Sequence, residues 1–420
     1  MHTLNAYELL ITGSIIIIIS YGFYMLAKKT NIPSVLMLIT LGILLKIAIN
    51  LLDIRQIQWF PILEVLGIVG LIMIVLEAAL DLKLTREKLP IINKSLLIAF
   101  LSIAVNIFVI SQVFQVFYPQ MTLLNALIYA VPVSIISSAI IIPSINNLDE
   151  KRKEFMIYES TFSDILGIMI FYFLLGATNH KSAASLSFGI LSNILITIIA
   201  SVVLSYLLIF IFQHIKTQIK LFLLIAVLIL FYAIGKLLHF SSLIMILFFG
   251  LILENRAIFI GKRLSKFFNK EATTEITNNL KIITFETSFV VRTFFFVIFG
   301  ITITLANIIS FKAWIVSLIV LGVIYFGRWV FLRLFTGKNW FPELLLAPRG
   351  LITILLFYAI PPQHQVKDFN EGILLIIIIV TSVLMAYGLI KDKKIQNEAI
   401  EIQESDTIIN PANEIEQEPK

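Results

Sequence analysis

Cysteine is absent from the 420 residues, which excludes a disulfide framework, a zinc cluster and a thiol nucleophile. Histidine is scarce, five in all, and dispersed without the spacing of a metal site. No Ser-His pair, His-Glu-x-x-His run or aspartyl dyad appears, so an enzyme is not expected, and no cofactor is called for. Charge is scarce as well: Asp, Glu, Lys and Arg make up 14% of the chain. The formal net charge of +6 does not point to a nucleic-acid partner, because the basic residues sit in short loops between apolar runs.

What is abundant is apolar. Hydrophobic residues make up 59% of the chain, and the mean hydropathy is +0.97. That composition predicts an all-α, polytopic membrane protein in contact with lipid. Hydropathy predicts about thirteen transmembrane helices: 7–27, 32–50, 61–82, 91–117, 122–146, 154–176, 186–212, 219–238, 241–259, 283–308, 312–335, 340–361 and 371–391. The first run lacks a basic flank before it and reads as a retained helix. Loops after odd-numbered spans hold most of the Lys and Arg; those on the other side hold only Lys46, Arg55, Lys181, Lys236, Lys312 and Lys367. The asymmetry puts the odd loops and the C-terminus in the cytoplasm and the N-terminus outside, as in a multi-pass protein of the plasma (inner) membrane. Residues 256–282 read as a long basic surface loop. Residues 1–391 form the transmembrane domain, and 392–420, acidic and polar, read as a disordered cytoplasmic tail.

Against this background Tyr158–Gly167 stands out, with Glu159 and Asp164 inside an otherwise apolar run. At about 1.5 Å per residue, Asp164 lies roughly 15 Å from the charged loop at Glu154, near the middle of a hydrocarbon layer about 30 Å thick. An aspartate at that depth costs on the order of 2.5–3.5 kcal/mol, so helix packing alone is a poor reason for it. Ser160, Asp164 and Gly167 share one helix face, and Ser163 flanks it. A hydroxyl beside a carboxylate, with a glycine admitting another backbone, makes a candidate cation site.

An internal repeat supplies the architecture. Pro33–Leu45 aligns without gaps on Ser241–Leu253, with Ser34, Met37 and Gly42 matching Ser242, Met245 and Gly250 at an offset of 250 − 42 = 208 residues. The offset spans an odd number of helices, so the copies have opposite orientations, as in the inverted repeats of secondary transporters. Two spans look interrupted. The fifth holds Pro132, Ser134, Ser137, Ser138 and Pro143, and the twelfth Ala347-Pro348-Arg349-Gly350. Proline breaks the helical ladder, and the freed carbonyls of such a break can coordinate a cation.

The buried charges form a set. Glu159 and Arg328 fall at matching depths on the sixth and eleventh spans, so we pair them, which leaves Asp164 without a permanent cation and able to trade a proton for a metal cation. Arg349, beside the twelfth-span break, is placed to fill its carbonyl-rich gap. Arg292 has two candidate partners, Glu286 and Glu77. Glu64 and Glu77 lie toward opposite ends of the third span, and neither is assigned a transport role.

These pieces resemble the monovalent cation/proton antiporter superfamily, the sodium/proton exchanger fold, over nearly the whole transmembrane length. The matching segments are Leu76–Lys83, Ser137–Pro143, Glu159–Asp164, Phe294–Gly300, Gly327-Arg328 and Pro348-Arg349-Gly350. The resemblance implies a six-helix core with two crossing interrupted helices, a separate dimerisation domain and hence a homodimer. It implies that Asp164 binds cation and proton in turn, that Ser160 helps ligate the cation, and that Glu159 pairs with Arg328. Members of the family usually carry Asn or a second Asp where this chain has Ser163, and a threonine in the fifth-span motif where it has Ser138-Ala139. The expectation is therefore an antiporter exchanging a monovalent cation, Na+ first, for H+ on one aspartate without net charge movement. Asp164, Ser160, Ser163, Glu159, Ser137 and Ser138 are its candidate ion-binding residues, and Glu159, Arg328 and Arg349 its structural charges. The alternatives are a K+/H+ antiporter, an anion or organic-solute carrier using Arg349, and a membrane sensor or channel.

Overall fold

A computed structural model of the chain describes residues 6–30, 33–51, 59–145, 147–176, 183–215, 220–237, 242–259, 268–303, 309–337 and 340–409. The described residues are helical throughout their regular structure. The helices are α1 Ala6–Thr30, α2 Ser34–Leu51, α3 Trp59–Asp81, α4 Leu89–Phe117, α5 Leu123–Ser134, α6 Ser138–Ser144, α7 Glu150–Gly176, α8 Ala183–His214, α9 Lys220–Leu237, α10 Ser242–Glu254, α11 Arg256–Phe259, α12 Lys270–Thr302, α13 Phe311–Thr336, α14 Leu351–Tyr358 and α15 Gly372–Ile409. Eight membrane-length apolar spans occur among the described residues, α5 and α6 together making one of them. The other expected spans meet α3, α8, α9, α10 and α14 with the irregular segment that leads into it.

The ends follow ordinary capping chemistry. Thr122 accepts from the Asn125 N–H at 3.2 Å to start α5, and Asn269 accepts from the Ala272 N–H at 3.0 Å to start α12. That second cap is why the structure departs from a loop over 256–282: helix begins at Lys270 and runs without a break into the tenth span. Likewise α15 continues to Ile409, into the stretch where a disordered tail was expected. Its Lys, Gln, Glu and Ala residues favour helix, and Lys394 and Glu398 pair at i, i+4. Residues 410–420 lie outside the described residues.

Helix pairings carry the inverted repeat further than the motif does. α2 packs on α12 as α10 packs on α3, and α4 packs on α7 as α13 packs on α15. The repeat glycines explain the first of these relations. A Cβ on Gly42 would lie 2.1 Å from the Val297 carbonyl oxygen and 2.8 Å from the Gly300 Cα, so the two backbones touch. A Cβ on Gly250 would meet the Ala79 Cβ at 2.6 Å. Packing sorts the helices into a core (α4–α7, α13–α15) and a scaffold (α1–α3, α8–α10, α12), joined sparsely where α14, α7 and α6 meet α3, α10 and α1. Outward faces stay apolar, with Phe108 and Phe326 more than 60% exposed, as lipid contact requires.

Candidate functional site

The two interruptions meet in the core. Between α5 and α6 the chain is extended at Ile135 and Ser137, and the Ser137 N–H donates to the Pro348 carbonyl at 2.9 Å. Gly350 makes this approach possible, since a Cβ there would lie 2.5 Å from Ile140 Cδ1 and 3.0 Å from Ser137 Oγ. One expectation changes here. The half of the twelfth span before Pro348 is a series of turns over 341–345 followed by irregular chain, and only the second half, α14, is helical. Pro342 is the second residue of that turn run, which closes through Leu344 N–H to the Trp340 carbonyl and Leu345 N–H to the Pro342 carbonyl.

α7 lays its carboxylates against this crossing. Asp164 is 3% exposed, and Glu159, Ser160 and Ser163 are fully buried. The Ser138 N–H donates to Asp164 Oδ2 at 3.2 Å, and the Ser138 hydroxyl donates to the same oxygen. Asp164 Oδ1 is buried with no hydrogen-bond partner among the described residues. No cationic side chain pairs with Asp164 among the described residues. Ser163 Oγ accepts the Ile136 N–H at 2.9 Å, capping a donor that the break leaves without a helical acceptor. Ser160 turns its hydroxyl proton back to the Met156 carbonyl at 2.8 Å, leaving its oxygen lone pairs uncommitted. Ser137 Oγ and Thr161 Oγ1 are buried without partners among the described residues. Gly167 admits Ile135 from the break, whose Cδ1 lies 2.2 Å from where a Cβ would stand.

Arg328 meets Glu159 in a two-bond fork, Nη1 to Oε1 at 2.5 Å and Nη2 to Oε2 at 2.9 Å, with both side chains essentially dry. Its Nε donates to the Glu343 carbonyl at 2.9 Å. Arg349 gives Nε to the Val133 carbonyl at 2.9 Å, Nη1 to Ala347 at 2.5 Å and Nη2 to Ser134 at 3.3 Å. It thus takes carbonyls from both interruptions at once. Arg292 takes Glu77 at 3.4 Å, resolving the choice between its two candidates. The Glu64 side chain lies outside the described residues.

Sequence reasoning missed four participants. Thr381 of α15 accepts the Arg349 N–H at 3.0 Å, and a Thr-Ser pair inside the apolar run 373–386 was the available signal. Asn106 of α4, 3% exposed, places its unpartnered Oδ1 against Gly327, which shows why a glycine precedes Arg328. Ala78 and Leu247 of the scaffold join Asp164 in lining a cavity of about 20 Å³, with apolar walls completed by Val75, Ile168 and Ile352. That is room for about one water-sized occupant. Among the described residues no three His, Cys, Asp or Glu side chains gather to hold a metal ion. The arrangement can hold one small cation or one proton on Asp164, and Glu159 is already neutralised.

The sequence pattern described as "Sodium/hydrogen exchanger, transmembrane" matches residues 14–391. The chain belongs to the sodium/hydrogen exchanger family. Curated protein sequences give no match. Among solved structures, the sodium proton antiporter MjNhaP1 from Methanocaldococcus jannaschii at pH 8 superposes with a TM-score of 0.71 at 18% identity, covering 90% of this chain and 96% of that one. An electron-microscopy structure of MjNhaP1 gives a TM-score of 0.67 at 18% identity, covering 99% and 100%. At that identity the likeness is one of fold, and it makes this sodium/hydrogen exchanger family member an all-helical, multi-pass membrane protein with an antiporter architecture.

Proposed function

We propose that this cation/proton antiporter exchanges Na+ for H+ one for one, with Asp164 carrying each in turn. The observation that carries the reading is the state of Asp164. It is a buried carboxylate at the crossing of two broken segments, with one oxygen held by Ser138 and, among the described residues, no partner on the other and no cationic side chain beside it. Glu159 stays paired with Arg328, so a single carboxylate is left to change its load. Ser160, Ser163, Ser137 and Ser138 supply the hydroxyl oxygens around it. Alternating access follows from a core and scaffold that meet sparsely, one rocking against the other. An anion carrier built on Arg349 is less well supported, because that guanidinium already serves three carbonyls. We further propose a homodimer in the plasma membrane, with the N-terminus outside and the C-terminus cytoplasmic. The family resemblance supports the first, and the loop charges support the orientation.

The test is cation-induced collapse of an imposed pH gradient in proteoliposomes, screened with Na+, Li+, K+ and organic solutes. A response to Na+ and Li+ supports the reading, a response to K+ alone moves it to K+/H+ exchange, and a response to an organic solute alone contradicts it.

A further inference from the structure

Pro143 lies inside α6, and proline has no N–H to give the carbonyl four residues back. That carbonyl belongs to Ala139, and its donor comes from another helix. Arg292 of α12 reaches it with Nη1 at 3.3 Å. The same guanidinium places Nη2 on Glu77 Oε1 of α3 at 3.4 Å and Nε on the Ser288 carbonyl at 3.2 Å. The three contacts use three different nitrogens, so one guanidinium serves all three partners at once. A cavity of 230 Å³ opens beside it, lined by Tyr24, Glu77, Ala139, Pro143 and Phe289, on the side that loop charge assigns to the cytoplasm. α3 and α12 belong to the scaffold and α6 to the core, so the guanidinium bridges the two bodies. Ala139 directly follows Ser138, whose N–H and hydroxyl both hold Asp164.

We propose that Arg292 is a positioning residue for ion binding: it stands in for the N–H that Pro143 lacks, fixes the first turn of α6 through the Ala139 carbonyl, and so holds Ser138 against Asp164. The inference rests on the role given above to Asp164. It is distinct from a plain ion pair with Glu77, because it ties the effect of Arg292 to a proline on another helix.

The experiment compares Arg292→Ala, Pro143→Ala, the double variant and Glu77→Gln, reading KM for Na+, maximal exchange rate in proteoliposomes and melting of the purified protein. Losing the hydrogen bond should raise KM about fivefold in Arg292→Ala. Pro143→Ala restores an N–H at position 143 that closes the helical bond to Ala139, so KM stays within about twofold of the parent, alone and in the double variant. Glu77→Gln leaves the Ala139 contact in place and changes KM by less than about twofold. An unchanged KM in Arg292→Ala, an equal rise with and without Pro143→Ala, or a rise in Glu77→Gln matching that of Arg292→Ala each overturns the proposal. Where Arg292→Ala does not fold, Arg292→Met, which keeps much of the length and has no donor for the Ala139 carbonyl, is read in the same way. If the parent protein exchanges no cation at all, the antiport reading fails by itself. The tie is then judged on melting alone: less-than-additive losses for the two substitutions support it and additive losses overturn it.

Discussion

Asp164 and Glu159 sit five residues apart on one helix and have opposite circumstances. Glu159 has a guanidinium on both oxygens; Asp164 has a serine on one and, among the described residues, no partner on the other. An amide at position 164 neither titrates nor presents a full negative charge to a partly dehydrated cation. Asp164→Asn therefore abolishes exchange of every cation while the protein remains folded, as vesicle flux and melting will report. Proton-coupled flux above a small fraction of the parent's would contradict this. For the buried pair the expectation concerns coupling. Glu159→Ala or Arg328→Ala alone strands a buried charge at roughly 3–5 kcal/mol, whereas the double substitution strands none. A double-mutant cycle on thermal unfolding should show losses well short of additive, and coupling near zero would mean that the fork is not formed. At this scale the sequence was informative where charge is rare. Glu159 and Arg328 at matching depth in apolar spans had few other partners to choose from. The hold of Ser138 on Asp164 was not legible, because it depends on how far α6 is displaced toward α7, and no local spacing records that.

Among elements, the glycines of the repeat set how closely helices approach. Adding a methyl group at Gly42 or Gly300 forces the α2 and α12 backbones apart, since the added carbon would lie within 2.4 Å of a carbonyl oxygen in each case. Gly42→Ala and Gly300→Ala should each lower stability by about 1–3 kcal/mol in a melting assay. Gly22→Ala is the control: nothing lies within 4 Å of its added carbon, and its melting temperature should not fall. The repeat was readable because Ser34, Met37 and Gly42 recur in register, and α2 and α10 begin at Ser34 and Ser242, the same 208 residues apart (242 − 34). The interruptions were readable from their prolines, but the loss of helix before Pro348 was not. Glu343 and Leu346 lend their carbonyls to Arg328 there, a tertiary contact that competes with the helical ladder. The long basic loop was misjudged for a simpler reason: Asn269 is an ordinary polar residue until its side chain is seen to cap α12.

For the whole molecule, core and scaffold meet along a sparse seam, and Asp164 lines a small cavity on that seam against Ala78 and Leu247. In the cycle proposed above, with one titrating carboxylate, exchange across the seam would carry one positive charge out and one back. Ser163 adds no second titrating group, and Glu159 adds one only if Arg328 lets go. Each 100 mV of membrane potential is worth about 2.3 kcal/mol per elementary charge moved, so a net-charge cycle responds visibly to a modest voltage. The direct measurement is Na+/H+ exchange in vesicles whose potential is clamped by a potassium gradient and valinomycin, at zero and at a large inside-negative value. Equal rates and an unchanged steady-state Na+ distribution are predicted; a distribution that shifts in proportion to voltage would contradict the single-carboxylate account and implicate Glu159.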